Sequence, residues 1–96
     1  NEYKLSVDAQ VTKGKVVLTW EKAEDSSDAQ IGGYQVWKST KADTGYSKIG
    51  STKNTKFTNT ANLKKGTRYY YKVRIYKVIN GKVYYGQWTK LNIKAK

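Results

Sequence analysis

Residues 63–76 read LKKGTRYYYKVRIY, and the fold of the chain turns on how three consecutive tyrosines are used among lysines and arginines. Two uses compete. One is an exposed stacking surface for bases or sugars; the other is a β-strand whose aromatic residues mostly belong to a core. Strand geometry separates them, because successive side chains of a strand point to opposite faces. That rule puts Tyr69, Tyr71, Val73 and Ile75 on one face and Tyr70, Lys72, Arg74 and Tyr76 on the other. The first set has the apolar character of a core face. The second is basic and aromatic, as a face turned to solvent or to a partner must be. Half of the tyrosines in this strand are therefore expected inside.

The same alternation recurs along the chain, and no window of useful length has helical periodicity. Leu5, Val7, Ala9 and Val11 alternate with Ser6, Asp8 and Gln10, which predicts a first strand. Lys13-Gly14 turns the chain, and Val16, Leu18 and Trp20 line the inner face of a second. The polar stretch EKAEDSSDAQIGG, residues 21–33, reads as a long loop in which Ile31 folds back over the end of the core. Tyr34 and Val36 mark a third strand, KADTG at 41–45 turns into a short fourth around Tyr46–Ser51, and Phe57 anchors a fifth between Thr55 and Thr58. Asn80-Gly81 is the residue pair best suited to a type I′ hairpin turn. It joins a sixth strand, Tyr69–Val78, to a seventh running from Val83 to about Ala95. Seven short strands with closely spaced turn signals predict an all-β fold, a seven-stranded antiparallel immunoglobulin-like β-sandwich with one apolar face of each sheet in a shared core.

Ninety-six residues make one small domain spanning 1–96, without internal repeats or a linker. A chain of this length buries only roughly 60–68% of its unfolded surface, so the core must be economical. There is no Cys, which excludes disulfides and thiolate metal sites. No apolar run is long enough to cross a bilayer, so membrane insertion is not expected. The chain begins at Asn1 and holds no Met, so we expect a piece cut from a longer product, with any signal peptide or anchor outside it.

Charge is lopsided: 19 Lys and Arg stand against 7 Asp and Glu, for a net +12. Glu21, Glu24, Asp25 and Asp28 crowd into one stretch, which leaves the rest of the domain almost purely basic. Such a field attracts polyanions. Scattered lysines are also an ordinary means of keeping sheet edges from pairing.

Catalysis is not expected. Without His or Cys the usual bases, thiol nucleophiles and most transition-metal ligands are missing. Glu24, Asp25 and Asp28 share one loop, where a fixed carboxylate separation is hard to hold, and they read as a solvated loop. The Ca²⁺-loop pattern fails in DSSD at 25–28 because Ala29 interrupts the oxygen series. Neither NGK nor TKGK has the glycine and hydroxyl spacing of a phosphate loop. No cofactor and no metal is expected. KKGTRYYYKV departs from the RNA-recognition strand signature, since Thr67 and Arg68 stand where an aromatic and a small residue belong. Nucleic acid is accordingly not the expected partner.

The remaining candidate site is the outer face of the sheet formed by strands three, six and seven. Without a bulge, pairing across Asn80-Gly81 places Tyr85 opposite Tyr76 and Gln87 opposite Arg74. Gln35 and Trp37 face outward from the neighbouring strand. The face then carries Trp37, Tyr70, Lys72, Arg74, Tyr76, Tyr85 and Gln87. Flat rings stack on sugars or bases, and Lys and Arg hold phosphate or carboxylate. Cross-strand aromatic–cationic pairs also stabilise a sheet with no ligand at all, and an adjoining domain could cover the same face. Trp88 has two placements: simple register turns it inward beside Val73, and one bulge turns it out.

LKKGTRY followed by alternating apolar residues resembles the tyrosine corner of fibronectin type III domains, in which a Leu precedes a Tyr by six residues with Gly at the turn. Here these are Leu63, Gly66 and Tyr69. Trp20 is similar to the family's buried Trp on the second strand, GGYQVW resembles the start of the third, and strand order and spacing agree over nearly the whole chain. The resemblance implies a core that includes Trp20, Tyr34, Val36, Tyr71 and Val73, with the Tyr69 hydroxyl bonded to the backbone a few residues upstream. The chain looks like modules from secreted or cell-surface proteins of Gram-positive bacteria. That implies a non-catalytic extracellular module, monomeric when isolated, that spaces, orients or docks neighbouring domains. The alternative is binding of a surface glycan or anionic polymer. The integrin-type Arg-Gly-Asp is absent, the hairpin reading VINGKVYY, and Lys65 stands where the family often has Pro.

Overall fold

Eight antiparallel strands form among the described residues, which are 4–21, 30–61 and 63–96 of a computed structural model, the side chains of Gln30 and Ile31 excepted. They are β1 (Val7–Thr12), β2 (Lys15–Trp20), β3 (Gln30–Ser39), β4 (Ser47–Thr52), β5 (Lys56–Asn59), β6 (Arg68–Ile79), β7 (Lys82–Tyr85) and β8 (Thr89–Lys94). One sheet has the order β1-β2-β5; the other runs β4-β3-β6-β7, with β8 also on β6. Glu24, Asp25 and Asp28, with the DSSD stretch, lie outside the described residues, as does the Ile31 side chain.

Parity governs the core. From the smaller sheet, Val16, Leu18 and Trp20 are buried, and Leu5 joins them from the segment before β1. From the larger sheet come Tyr34 and Val36 of β3 and Tyr69, Tyr71, Val73 and Ile75 of β6. Trp20 meets Tyr34 with ring centroids 5.2 Å apart at a tilt of 59°. Its Nε1 is buried and has no hydrogen-bond partner among the described residues. Val7, Ala9, Val11, Phe57 and Leu63 pack around this centre.

Two polar groups of the core are satisfied in ways that tie elements together. Lys64 N–H donates to the Tyr69 hydroxyl at 2.7 Å, closing the tyrosine corner. Beneath it, Thr67 N–H returns to Lys64 O across Lys65-Gly66, and Gly66 has φ 84°. These are the marks of a type II turn, whose third residue needs a positive φ. The Tyr71 hydroxyl donates to Asn59 Oδ1 at 2.8 Å, a bond from β6 to β5 that crosses between the sheets. Lys38 caps the corner from the end of β3, with Nζ 4.6 Å above the Tyr69 ring and donating to Ala61 O. Burial holds its pKa below the usual lysine value.

The expected seventh strand is two strands. Asn80 (φ 52°) and Gly81 (φ 78°) make the hairpin turn, and Tyr76 pairs with Tyr85 as the sequence implies. Farther along, Val73 pairs with Thr89, so Gly86, Gln87 and Trp88 stand against only Arg74 and Ile75. The extra residue is a β-bulge, fixed where Gly86 N–H bonds to Ile75 O. A three-residue break divides the pairing into β7 and β8 and shifts parity beyond it.

Burial keeps the Tyr71 hydroxyl well above the usual tyrosine range, with Tyr69 adding to the effect. The folded state thus retains a proton that the unfolded chain releases near pH ~10. The resulting stability is complete below about pH 10 and is lost as pH rises through the folded-state value. In urea denaturation at pH 7, Tyr71→Phe is expected to cost about 1–2 kcal/mol, since Asn59 loses a buried partner. Above pH ~10 the difference between the two proteins should shrink by up to about 1.4 kcal/mol per pH unit. A constant difference would show that the hydroxyl is not held neutral.

Candidate functional site: the aromatic–basic face

β3 and β6 bring the predicted residues together by register: Trp37 opposes Lys72, Gln35 opposes Arg74 and Gly33 opposes Tyr76. Trp37, Tyr70, Lys72, Arg74, Tyr76 and Tyr85 therefore share the outer face. Gln87 does not stand opposite Arg74. The bulge moves it out of that ladder, and its backbone instead forms a parallel bridge with Lys4. The same bulge turns Trp88 outward into the space between Lys72 and Arg74.

The result is an alternating ladder of rings and cations. Lys72 Nζ lies 4.5 Å from the Tyr46 ring centroid and 4.3 Å from that of Trp88, with Trp37 at 5.6 Å. The Arg74 guanidinium lies 4.1 Å from the Trp88 ring and 3.7 Å from the Tyr85 ring. Trp37 meets Trp88 edge-on at 5.8 Å. Gln35, itself buried, ties the ladder to β3: its Oε1 accepts from Arg74 Nε at 3.0 Å and from Trp37 Nε1 at 3.4 Å. Each cation thus covers ring faces that a ligand would otherwise stack on.

Desolvation lowers the pKa of Lys72, and the neighbouring Lys90 and Arg74 lower it further. Burial likewise lowers that of Arg74, opposed by Tyr85. The Tyr46 hydroxyl is shifted upward by burial, then by Asp43 and Tyr70, and it donates to Ala42 O at 2.8 Å. Sequence reasoning puts Tyr46 at the start of the fourth strand and misses its part in the ladder. It lies in the loop before β4, outside any alternating pattern, and is placed by Ser39, whose hydroxyl donates to Thr44 O and accepts from Lys41 N–H.

Tyr76 is half-buried rather than free. The bulge at Gly32 in β3 lets its ring lie against the backbone, and a Cβ at position 32 would come 2.5 Å from Tyr76 Cε2. Gly32-Gly33 is therefore a seat for this ring. Surface depressions lie elsewhere. One is lined by Lys4, Leu5, Asp8, Trp20 and Glu21, another borders the tyrosine corner at Thr60, Leu63, Thr67 and Tyr69, and a third lies between Lys38, Ser39, Thr40 and Ile49. Among the described residues no group of three His, Cys, Asp or Glu side chains gathers to hold a metal, and no helix is long and apolar enough to cross a membrane.

A family model described as Fibronectin type III domain matches residues 3–90. No curated protein sequence matches the chain. Among solved structures it is similar to an Fn3-like protein from Clostridium thermocellum, with 28% identity and a TM-score of 0.64 over 90% of this chain and 85% of that one. It is similar also to a run of domains from titin, with 25% identity and a TM-score of 0.65 over 95% of this chain and 31% of that one. A human protein's fourth FNIII domain shares the fold at 19% identity and a TM-score of 0.64, over 95% of this chain and 73% of that one.

Truncating Trp88 removes the ring that two cations share. Trp88→Ala is expected to cost about 1–3 kcal/mol in urea denaturation. In a double-mutant cycle, Arg74→Gln should cost less in the Trp88→Ala background than alone, because its ring partner has already gone. Strict additivity would show that the ladder contributes no coupling.

Proposed function

The chain belongs to the fibronectin type III family, and from that premise we propose that it is an extracellular module, cut from a larger bacterial surface or secreted protein, that spaces, orients or docks its neighbours. Domains of this family occur as modules of multidomain proteins and are generally non-catalytic and commonly extracellular. The observation that carries the reading is the closed ladder: the rings of Trp88, Tyr46 and Tyr85 already have Lys72 or Arg74 over them. A face whose rings are engaged with its own cations suits a stiff strut better than a stacking cleft. The 44 Å long axis and the exposed Val78, Ile79, Val83 and Tyr84 of the β6–β7 hairpin provide reach and an apolar contact for an adjoining domain. The bacterial setting draws support from the Clostridium thermocellum relative. Replacing the module by a flexible linker in its parent protein is expected to lower parent activity, whereas Trp37→Ala with Tyr76→Ala should leave it unchanged. The opposite pattern overturns the spacer role.

A second reading, binding of a carbohydrate or anionic polymer on the outer face, is favoured by the basic residues that β6 and β8 present there: Arg68, Lys72, Lys90 and Lys94. Glycan and polyanion screens at low and high salt should then show saturable binding. Binding through rings tolerates salt, and binding through charge collapses as ionic strength rises.

A further inference from the structure

Cross-strand neighbours in a sheet are ordinarily chosen to attract or to be neutral, and like charges placed directly opposite each other are destabilising. Among the described strand pairings, only two set one charged residue against another, and both are cationic: Arg68 opposes Lys94 and Lys72 opposes Lys90. Both pairs belong to β6 and β8, and both share a parity with the outer face. Between them stand Tyr70 and Asn92, and Arg68 Nη1 donates to Asn92 Oδ1 at 2.6 Å, which lays the guanidinium along the sheet. A sheet stabilised only by its own contacts gains nothing from this arrangement. An anion seated between the members of each pair converts both repulsions into attractions.

We propose that the paired cations Arg68–Lys94 and Lys72–Lys90 form a two-step binding stripe for an acidic polysaccharide lying along β6 and β8. This rests on the second reading above and specifies both its residues and its ligand. The two pairs are four residues apart on β6, about 13 Å at strand rise. Duplex nucleic acid places a phosphate about every 3.4 Å along each strand, far denser than these steps. A glycan with an acidic group on only some of its sugars matches the sparse spacing. Stacking of bases is also poorly served, because Lys72 already lies on Trp37, Tyr46 and Trp88. Recognition at the stripe is therefore by carboxylate or sulfate charge and by the hydroxyls that Tyr70 and Asn92 can meet. Lys90, Asn92, Lys94 and Arg68 are all exposed, so a chain can reach them without rearrangement.

The test titrates the purified domain with a sulfated glycan (heparin), a carboxylated one (polygalacturonate) and a single-stranded oligodeoxynucleotide, by calorimetry and amide chemical shifts, at low and high salt. Lys90→Glu with Lys94→Glu replaces both repulsive pairs by attractive ones. This variant is expected to melt at a higher temperature than the parent domain and yet to bind the glycans at least about tenfold more weakly. Lys53→Glu with Lys56→Glu makes the same change of net charge away from the stripe and should retain binding. Shift changes in the unmodified domain should concentrate on β6 and β8. Unchanged glycan affinity in the Lys90/Lys94 variant, or equal loss in the Lys53/Lys56 control, overturns the stripe. Tighter binding of the oligonucleotide than of either glycan overturns the ligand class. If Trp37→Ala with Tyr76→Ala abolishes glycan binding while the Lys90/Lys94 variant keeps it, the outer-face reading stands and the stripe fails. If the unmodified domain binds neither glycan, both fall together.

Discussion

Two tyrosine hydroxyls buried between the sheets are the constraint on which the rest of this structure depends. A phenol in a core contributes a large apolar ring, but its hydroxyl costs stability unless a partner is supplied. Tyr69 receives one from the Lys64 backbone and Tyr71 finds one in Asn59 of the opposite sheet. The first bond fixes where the chain enters β6. The second fixes how far β6 can slide over β5. With both in place the parity of the whole twelve-residue strand is set, and Val73 and Ile75 follow into the core. A slip of one residue would drive Lys72 and Arg74 inward, where neither would find a carboxylate among the described residues packed there.

Once parity is fixed, the outer face is fixed too, and its fine structure comes from two irregularities in the pairing. The bulge at 86–88 restores outward parity to Trp88, which a continuous ladder would have turned toward Val73. The bulge at Gly32 opens a flat seat for Tyr76. Both are local departures from regular pairing, and each aims one aromatic ring. Together they convert a row of β6 side chains into an interlocked layer three strands wide, in which Lys72 and Arg74 each touch at least two rings.

Alternation made much of this legible in the sequence. The inward set of β6, the inner face of β2, the corner at Leu63, Gly66 and Tyr69, and the Tyr76–Tyr85 pairing across Asn80-Gly81 all follow from period two and turn chemistry. What escaped was whatever breaks the period. A bulge adds one residue without a compositional mark of its own, so alternation alone sets Gln87 opposite Arg74 and leaves Trp88 two placements, between which the β6–β8 register decides. Tyr46 and Asn59 escaped for a related reason. Their roles depend on contacts made across the fold, Tyr46 with Lys72 and Asn59 with Tyr71, and neither residue's local pattern announces its partner.

The ladder and the stripe make opposite use of the same kind of residue, and the contrast is informative. At Lys72 and Arg74 the positive charge is met in part by the negative faces of rings, without a carboxylate from the described residues, and the rings gain a cover. At Lys90 and Lys94 no ring among the described residues lies over the charge, and each lysine directly opposes another cation. Lys72 stands at the junction: its head group is held among three rings while its backbone pairs with Lys90. A basic surface kept only for solubility has no reason to concentrate its repulsions in register on two adjacent strands, because lysines spread evenly serve that purpose at lower cost. The register of these pairs, more than the net charge of the chain, is what the proposed stripe rests on.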